Sequence, residues 1–209
     1  MENKILLIFF GWLLGLLAPV ITTLILNSRK SETVKKGIRN ELVELQYRAV
    51  LSAFVFHKDY GTFNHELLSW TKEHCSSYKG INEKEDLEKL INMAMEMSEE
   101  TLQQYILSQR NENIGKSVKY LRTPFLESQL EEIGKFSPKE QTIILEILEH
   151  IKIHNDTVDE AKAYFSMTFD ASVTGENRRI VNSSLNEKYK HLAERCRIIA
   201  DKTDVFFNV

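Results

Sequence analysis

The feature that most constrains this chain is a run of 22 residues, from Ile5 to Leu26, without a charged side chain. As an α-helix the run is ~33 Å long, which is enough to cross a hydrocarbon core of ~30 Å. A buried helix of a globular core rarely runs this far without a polar face. A cleaved signal peptide has a basic start, a shorter apolar stretch and a small-residue cleavage site. This run is longer, the charges before it balance, and no such cleavage site follows it. The sequence therefore predicts an uncleaved transmembrane anchor over residues 1–27.

Basic residues flank this run unequally. Lys4 precedes it, and five basic residues follow it closely: Arg29, Lys30, Lys35, Lys36 and Arg39. Because segments rich in Lys and Arg stay in the cytoplasm, the asymmetry predicts a single-pass protein of the cell inner membrane with a cytoplasmic C-terminal domain. The same five residues form a basic collar, where they are placed to contact anionic lipid headgroups.

Small residues form one stripe along the charge-free run, namely Gly11, Gly15, Ala18 and Thr22. Their spacings of four, three and four place them on one face of a helix. The Gly-x-x-x-Gly pattern lets two membrane helices approach closely, although Gly is also common in membrane helices generally. We expect the stripe to mediate self-association, and hence a homo-oligomer.

The net charge of −3 divides unevenly along the chain. Residues 1–39 carry a net charge of +4, so the remaining 170 residues carry −7. An acidic body behind a basic collar suits a protein held close to an anionic membrane surface. Since binding to phosphates needs a basic face, the acidic body argues against nucleic acid as a partner.

The body is predicted to consist of helices joined by short breaks. Eight Gly and three Pro in 209 residues leave few turns, which favours long helices. Apolar residues at alternating spacings of four and three predict an amphipathic helix after the basic collar, within a juxtamembrane segment over residues 28–57. A short-helix region over 58–135 follows. Its predicted helices are 64–76, 82–97, 98–110 and 124–134, with a loop at 111–123.

Residues 136–209 carry the clearest pattern. Ser137 and Pro138 begin a helix, Glu140 completes a capping box, and Gly175 marks a turn before a second long helix. Heptad-like spacing on both helices predicts an antiparallel hairpin with a coiled-coil seam. The predicted seam residues are Ile144, Ile147, Ile151, Val158, Leu185, Leu192 and Ile199. The expected fold class is therefore all-α: one N-terminal transmembrane helix, then a cytoplasmic helical domain that ends in this hairpin.

No motif in the chain indicates catalysis. The segment 114–117 ends like a phosphate-binding loop, but Arg110 stands where the first Gly of that loop belongs. Glu146, His150 and His154 are spaced by four on one helix face and are weak candidates for metal ligands. His154 lies in the predicted seam, where a hydrogen-bonded structural histidine is the commoner role. We expect no metal, no cofactor and no enzymatic activity.

In architecture, residues 5–39 resemble small single-pass membrane proteins that bacteria carry in accessory and antiphage loci, while no motif in the body assigns a family. The first hypothesis is a membrane-anchored interaction module that self-associates and senses or recruits an unidentified cytoplasmic protein. The alternative is an oligomeric pore-forming or membrane-disrupting effector, for which the run offers only Thr22 and Thr23 as polar groups. A membrane-anchored enzyme is the third hypothesis.

Overall fold

The computed structural model describes residues 2–60, 63–78, 85–109 and 118–209, which form helices and connections without a strand among them. The helices are α1 (Glu2–Tyr60), α2 (His65–Ser77), α3 (Glu85–Met95), α4 (Glu99–Gln109), α5 (Pro124–Ser128), a 3₁₀ helix (Leu130–Lys135), α6 (Pro138–Met167) and α7 (Gly175–Phe207). The described part of the chain is all-α, which confirms that part of the predicted fold class.

Helix α1 continues for 59 residues and contains both the charge-free run and the amphipathic helix predicted after the basic collar. Asn27 does not end the helix, and Pro19 lies inside it. The hydroxyl of Thr23 donates a hydrogen bond to the carbonyl of Pro19 at 2.8 Å. Every described side chain between Trp12 and Leu26 is exposed. The first half of α1 therefore projects from the rest of the described chain.

From Val34 onwards, α1 belongs to a three-helix bundle with α6 and α7. Helix α7 lies between the other two and packs along both of them. It runs antiparallel to α1, since the ring of Tyr189 stacks on that of Phe56 whereas Phe206 lies beside Arg39. One cluster of buried apolar residues contains side chains from all three helices. Residues 28–57 and 136–209, which are predicted as separate segments, thus share a core.

Local sequence signals account for the ends of these helices. The hydroxyl of Ser137 accepts a hydrogen bond from the backbone N–H of Glu140, whose carboxylate accepts one from the N–H of Ser137. This is the capping box that the sequence predicts. Gly175 is the first residue of α7, with a φ of +57°, a backbone conformation that suits Gly. The turn between α6 and α7 therefore occupies 168–174 and precedes Gly175.

The short helices form a smaller core at the end of the bundle where α1 finishes. Asn64 caps α2 by accepting a hydrogen bond from the N–H of Leu67 at 2.9 Å. The buried residues of this core are Phe54, Phe63, Leu67, Leu68, Ile91, Ala94, Leu102 and Ile106. The predicted helix 124–134 is divided into α5 and the 3₁₀ helix, because Gln129 leaves the helical conformation between them.

Candidate functional site

Two of the five predicted collar residues are used by the bundle itself. A guanidinium nitrogen of Arg39 lies 2.7 Å from a carboxylate oxygen of Glu140. The ammonium of Lys35 lies 5.6 Å from the centre of the Phe136 ring. The other three residues are exposed: Arg29, Lys30 and Lys36. The cations available to an external partner are therefore fewer than the sequence suggests.

The stripe of small residues lies on the projecting half of α1. Gly15, Ala18 and Thr22 are exposed, and a side chain built at Gly15 would meet no atom within 4 Å. Gly11 lies outside the residues whose surroundings the structure describes. Nothing in the described chain covers this face at Gly15, so an external surface can reach it.

The transmembrane part of the predicted fold is without support from the described residues. Among them, no helix has both the length and the mean hydropathy that a membrane crossing requires. Most side chains of residues 5–26 lie outside the described set.

The predicted hairpin seam is a surface between three helices. All seven predicted residues are buried, each 5% exposed or less. Ile147 belongs to a cluster with Ile38 of α1, and Leu192 to one with Phe56 of α1. The coiled-coil interpretation has no support, since α7 packs along α1 as well as along α6.

Glu146, His150 and His154 each have a different partner. A carboxylate oxygen of Glu146 lies 2.6 Å from the ammonium of Lys202. A guanidinium nitrogen of Arg195 donates to Nδ1 of His150 at 2.7 Å. In the described part of the chain, no three side chains of metal-ligand type are grouped around a possible ion.

His154 forms a buried pair with Cys196 between α6 and α7. Its Nε2 lies 3.3 Å from the carbonyl oxygen of Lys119, and its Nδ1 lies 3.6 Å from Sγ of Cys196. Burial lowers the pKa of His154 to about 4 and raises the pKa of the Cys196 thiol. Both groups are thus neutral at pH 7. Because the thiolate is the reactive form of cysteine, this pair ties segment 118–123 to the bundle without supplying a nucleophile.

Sequence reasoning missed a polar cluster between α2 and α7. The indole N–H of Trp70 donates to a carboxylate oxygen of Asp201 at 2.7 Å, and Nε2 of His74 lies 3.2 Å from the same oxygen. Burial raises the pKa of Asp201, but the bonds from His74 and Trp70 outweigh burial and leave it lowered. Gln46 lies 3.4 Å from Nδ1 of His74. Since both ring nitrogens of His74 have partners, the cluster holds α2 against α7.

The local signal for this cluster was the spacing of four between Trp70 and His74, which places them on one helix face. Their acceptor, Asp201, is 131 residues from Trp70 along the chain. No local pattern connects the two segments, so the pairing is a consequence of the tertiary fold.

An apolar cavity of about 320 Å³ lies beside α3 and α4. This volume is within the range of small-ligand sites. Its walls are mainly aliphatic, aromatic and methionine side chains: Phe63, Leu90, Met93, Ala94, Met97, Leu102, Tyr105 and Ile106. Two cations, Lys58 and Lys89, complete the lining. Leu90, Met93 and Tyr105 are also exposed to solvent, so the cavity opens onto an apolar surface.

The segment that resembles the end of a phosphate-binding loop, residues 114–117, lies outside the described residues, as does Arg110.

The described part of the molecule offers two candidate surfaces for function. One is the projecting half of α1, and the other is the surface of α3 and α4 with its cavity. The chain matches no known protein family, no curated protein and no solved structure, so comparison with known proteins assigns it to no family.

Proposed function

We propose that this protein is a single-pass anchor protein of the cell inner membrane whose cytoplasmic helical bundle recruits another protein. The observation that carries the proposal is the continuity of α1. One helix, α1, contains the charge-free run of residues 5–26 and continues into the bundle core, with no break at Asn27. A helix of this kind holds the bundle at a fixed position relative to the membrane.

The exposure of the first half of α1 supports membrane anchoring. Leu17, Ile25 and Leu26 are large apolar side chains, and all three are exposed. Contiguous apolar surface in water is unfavourable and marks a surface that something else covers. Lipid covers a helix on all sides and leaves its backbone hydrogen bonds intact, which fits a run that is apolar all round.

Self-association is the second part of the proposal. The exposed positions Gly15, Ala18 and Thr22 share one face of α1, and Gly15 has no neighbour within 4 Å of a built side chain. In a membrane, a strip of small residues lets two backbones approach and gain dispersion contacts. The expected partner of this strip is the same strip on a second copy of the chain.

The surface of α3 and α4 supports recruitment of a cytoplasmic protein. It exposes Leu90, Met93 and Tyr105 around the apolar cavity. Methionine side chains adapt to irregular apolar surfaces, which suits a partner-binding face. Lys58, which lines the cavity, lies 32 residues after Leu26 on the same helix, or ~48 Å along its axis. The expected partner is a cytoplasmic protein segment that offers apolar side chains.

The pore-forming alternative has weaker support. A water-filled channel needs polar groups along its wall, and the run offers two threonines for this purpose. The hydroxyl of Thr23 is already bonded to the carbonyl of Pro19 within the helix. Two threonines in 22 residues give a channel wall few polar groups, which favours an anchor over a water-filled channel.

The experiment that tests the proposal measures membrane insertion of the full chain expressed in bacterial cells. The native chain is expected to stay in the membrane fraction after extraction at alkaline pH. The double variant Leu17→Arg with Thr22→Arg places two charges in the run and is expected to shift most of the chain to the supernatant, because each Arg costs ~2.5–3.5 kcal/mol near the centre of a membrane helix. The matched control is Leu145→Arg, at an exposed position of α6. Recovery of the native chain in the supernatant would exclude the anchor.

A further inference from the structure

Helices α3 and α4 are held apart, and the apolar cavity lies between them. Residues 96–98 join the two helices, yet among the described helices α4 makes no extensive packing contact with another one. Leu102 and Ile106 line the cavity from α4. Met93 and Ala94 line it from α3. The apolar faces of the two helices therefore border one shared space rather than packing along each other.

Polar contacts hold one edge of α4 in place. The side-chain amide of Gln103 donates a hydrogen bond to the carbonyl of Phe63. The carboxylate of Glu99 accepts a hydrogen bond from the N–H of His65 at 3.4 Å, and it lies 3.4 Å from Nδ1 of the same histidine. Because these contacts fix α4 beside the start of α2, the separation of α4 from α3 is part of the fold.

The cavity is a recess in the smaller core. Four of its wall residues are buried members of that core, namely Phe63, Ala94, Leu102 and Ile106. Protein interiors are close-packed and have few voids larger than a water molecule. Apolar cavities are poor sites for water and take up apolar molecules instead. A recess of about 320 Å³ that is bordered by core residues is therefore suited to an apolar ligand.

The two lysines of the lining do not call for a charged ligand. Lys58 and Lys89 both interact with other groups of the chain. A long lysine side chain covers apolar surface with its methylene groups while its ammonium stays in a polar environment. The lysines therefore extend the apolar wall, and the lining as a whole favours an uncharged molecule.

We infer that this cavity binds a small uncharged ligand whose hydrocarbon body has about ten to twelve carbon atoms, since an apolar cavity of about 150 Å³ takes up benzene. The cavity between α3 and α4 has about twice that volume. The side chains of Met93 and Met97 adapt to the shape of an apolar ligand. The inference goes beyond the proposed recruitment of a protein, and the ligand site requires neither the anchor nor the partner.

Ligand binding acts on the surface proposed for the partner. Leu90, Met93 and Tyr105 line the cavity and are exposed at its edge. A ligand that contacts both helices holds these three side chains in one arrangement and so preorganises the surface. Recruitment of the partner then depends on a small molecule.

The test follows the methyl resonances of the methionines by NMR, in the full chain in nanodiscs of deuterated lipid, with decanol as the probe. Met93 and Met97 line the cavity, whereas Met167 is the last residue of α6. Decanol is expected to shift the resonances of Met93 and Met97 in a saturable manner and to leave that of Met167 unchanged. Hexanol is expected to bind at least about tenfold more weakly at equal free concentration, because each buried methylene contributes a factor of about four in affinity. The absence of a saturable shift at Met93 and Met97, or an equal shift at Met167, would overturn the inference.

Substitutions that reduce the cavity give an independent check. Ala94→Phe fills it from its buried wall and is expected to abolish the decanol shift at Met97. Leu90→Trp adds a ring at the exposed edge and is expected to weaken decanol binding by at least about fivefold, because the ring takes up space that the ligand needs. Its matched control is Leu107→Trp, at an exposed position of α4 outside the lining, which is expected to keep the native affinity.

If Ala94→Phe does not fold, Leu90→Trp decides the question. Native decanol affinity in Leu90→Trp, or an equal loss in Leu107→Trp, would contradict binding in the cavity. Failure of decanol to bind would defeat only the ligand site, since extraction of the native chain from membranes tests the anchor separately.

Discussion

Buried histidines make the stability of this fold depend on pH. Burial is the first cause that lowers the pKa of His154 to about 4, and it also lowers the pKa of His57 and His150. A histidine with a lowered pKa in the folded protein takes up a proton on unfolding once the pH falls below its usual value of ~6.5. The stability that depends on these neutral rings is therefore complete above pH ~6.5 and is lost as the pH falls toward the folded pKa.

For His154 we expect a loss of ~2–3 kcal/mol in the free energy of unfolding between pH 7 and pH 4.5. The measurement is denaturant unfolding of the full chain in detergent at a series of pH values. In His154→Gln the decrease with pH is expected to be shallower, although the variant is less stable at every pH. His191→Gln, at an exposed position, is the control and is expected to keep the native slope. A native slope in His154→Gln would refute the assignment to His154.

Among the elements, α6 shows most directly how spacing determines packing. Ile147 is fully buried, whereas Leu145, two residues earlier on the same helix, is 57% exposed. We expect Ile147→Ala to cost ~2–5 kcal/mol, because it removes buried methyl groups and leaves a cavity. Leu145→Ala is expected to change stability by less than ~0.5 kcal/mol. Denaturant unfolding of the two variants compares them, and equal losses would mean that the buried face of α6 is wrongly assigned.

The projecting half of α1 offers a prediction about association. Gly15→Ile places a branched side chain in the middle of the stripe and is expected to reduce chemically cross-linked oligomers in membranes, because it keeps the two backbones apart. Leu17→Ile is the matched control, since position 17 is exposed and points away from Gly15. Insertion into the membrane is expected to be unchanged in both variants. Unchanged cross-linking in Gly15→Ile would assign any assembly to the bundle instead.

The sequence predicted those elements whose signals are local. The apolar spacing on α6 and the capping box at Ser137 and Glu140 depend on residues within a few turns of one another, so they are visible in the chain. The division between α5 and the 3₁₀ helix could not be predicted from the local sequence. Helix α5 is held against α1 by Glu41, which is 84 residues from Phe125 along the chain. The cluster at Asp201 was missed for the same reason. Distant contacts of this kind arise only when the bundle forms.

At the scale of the whole molecule, α1 determines where the bundle lies relative to the charge-free run. The charge-free run and the partner surface around Met93 lie at opposite ends of the part of α1 that packs in the bundle. If residues 5–26 cross a membrane, the bundle holds the partner surface ~48 Å from it, because Lys58 lies that far from Leu26 along the helix axis. Which side of the membrane this surface faces then decides which proteins it meets.

The last prediction concerns this orientation. Five basic residues follow the run and one precedes it, so the positive-inside rule predicts a cytoplasmic bundle. A reporter enzyme that is active only outside the cytoplasm, fused after Val209, is expected to be silent in the native chain.

The structure supplies a variant that tests the cause without damaging the fold. Arg29, Lys30 and Lys36 are exposed, whereas Lys35 and Arg39 contact Phe136 and Glu140. Replacing the three exposed cations by Gln and adding three Lys before Ile5 reverses the charge difference across the run. We expect this variant to activate the reporter in a substantial fraction of molecules, because insertion follows the positions of Lys and Arg near the membrane helix. The control keeps the three Gln substitutions and adds three Gln before Ile5, and it is expected to give a weaker signal. Reporter activity in the native chain would reverse the proposed orientation and place the bundle outside the cytoplasm.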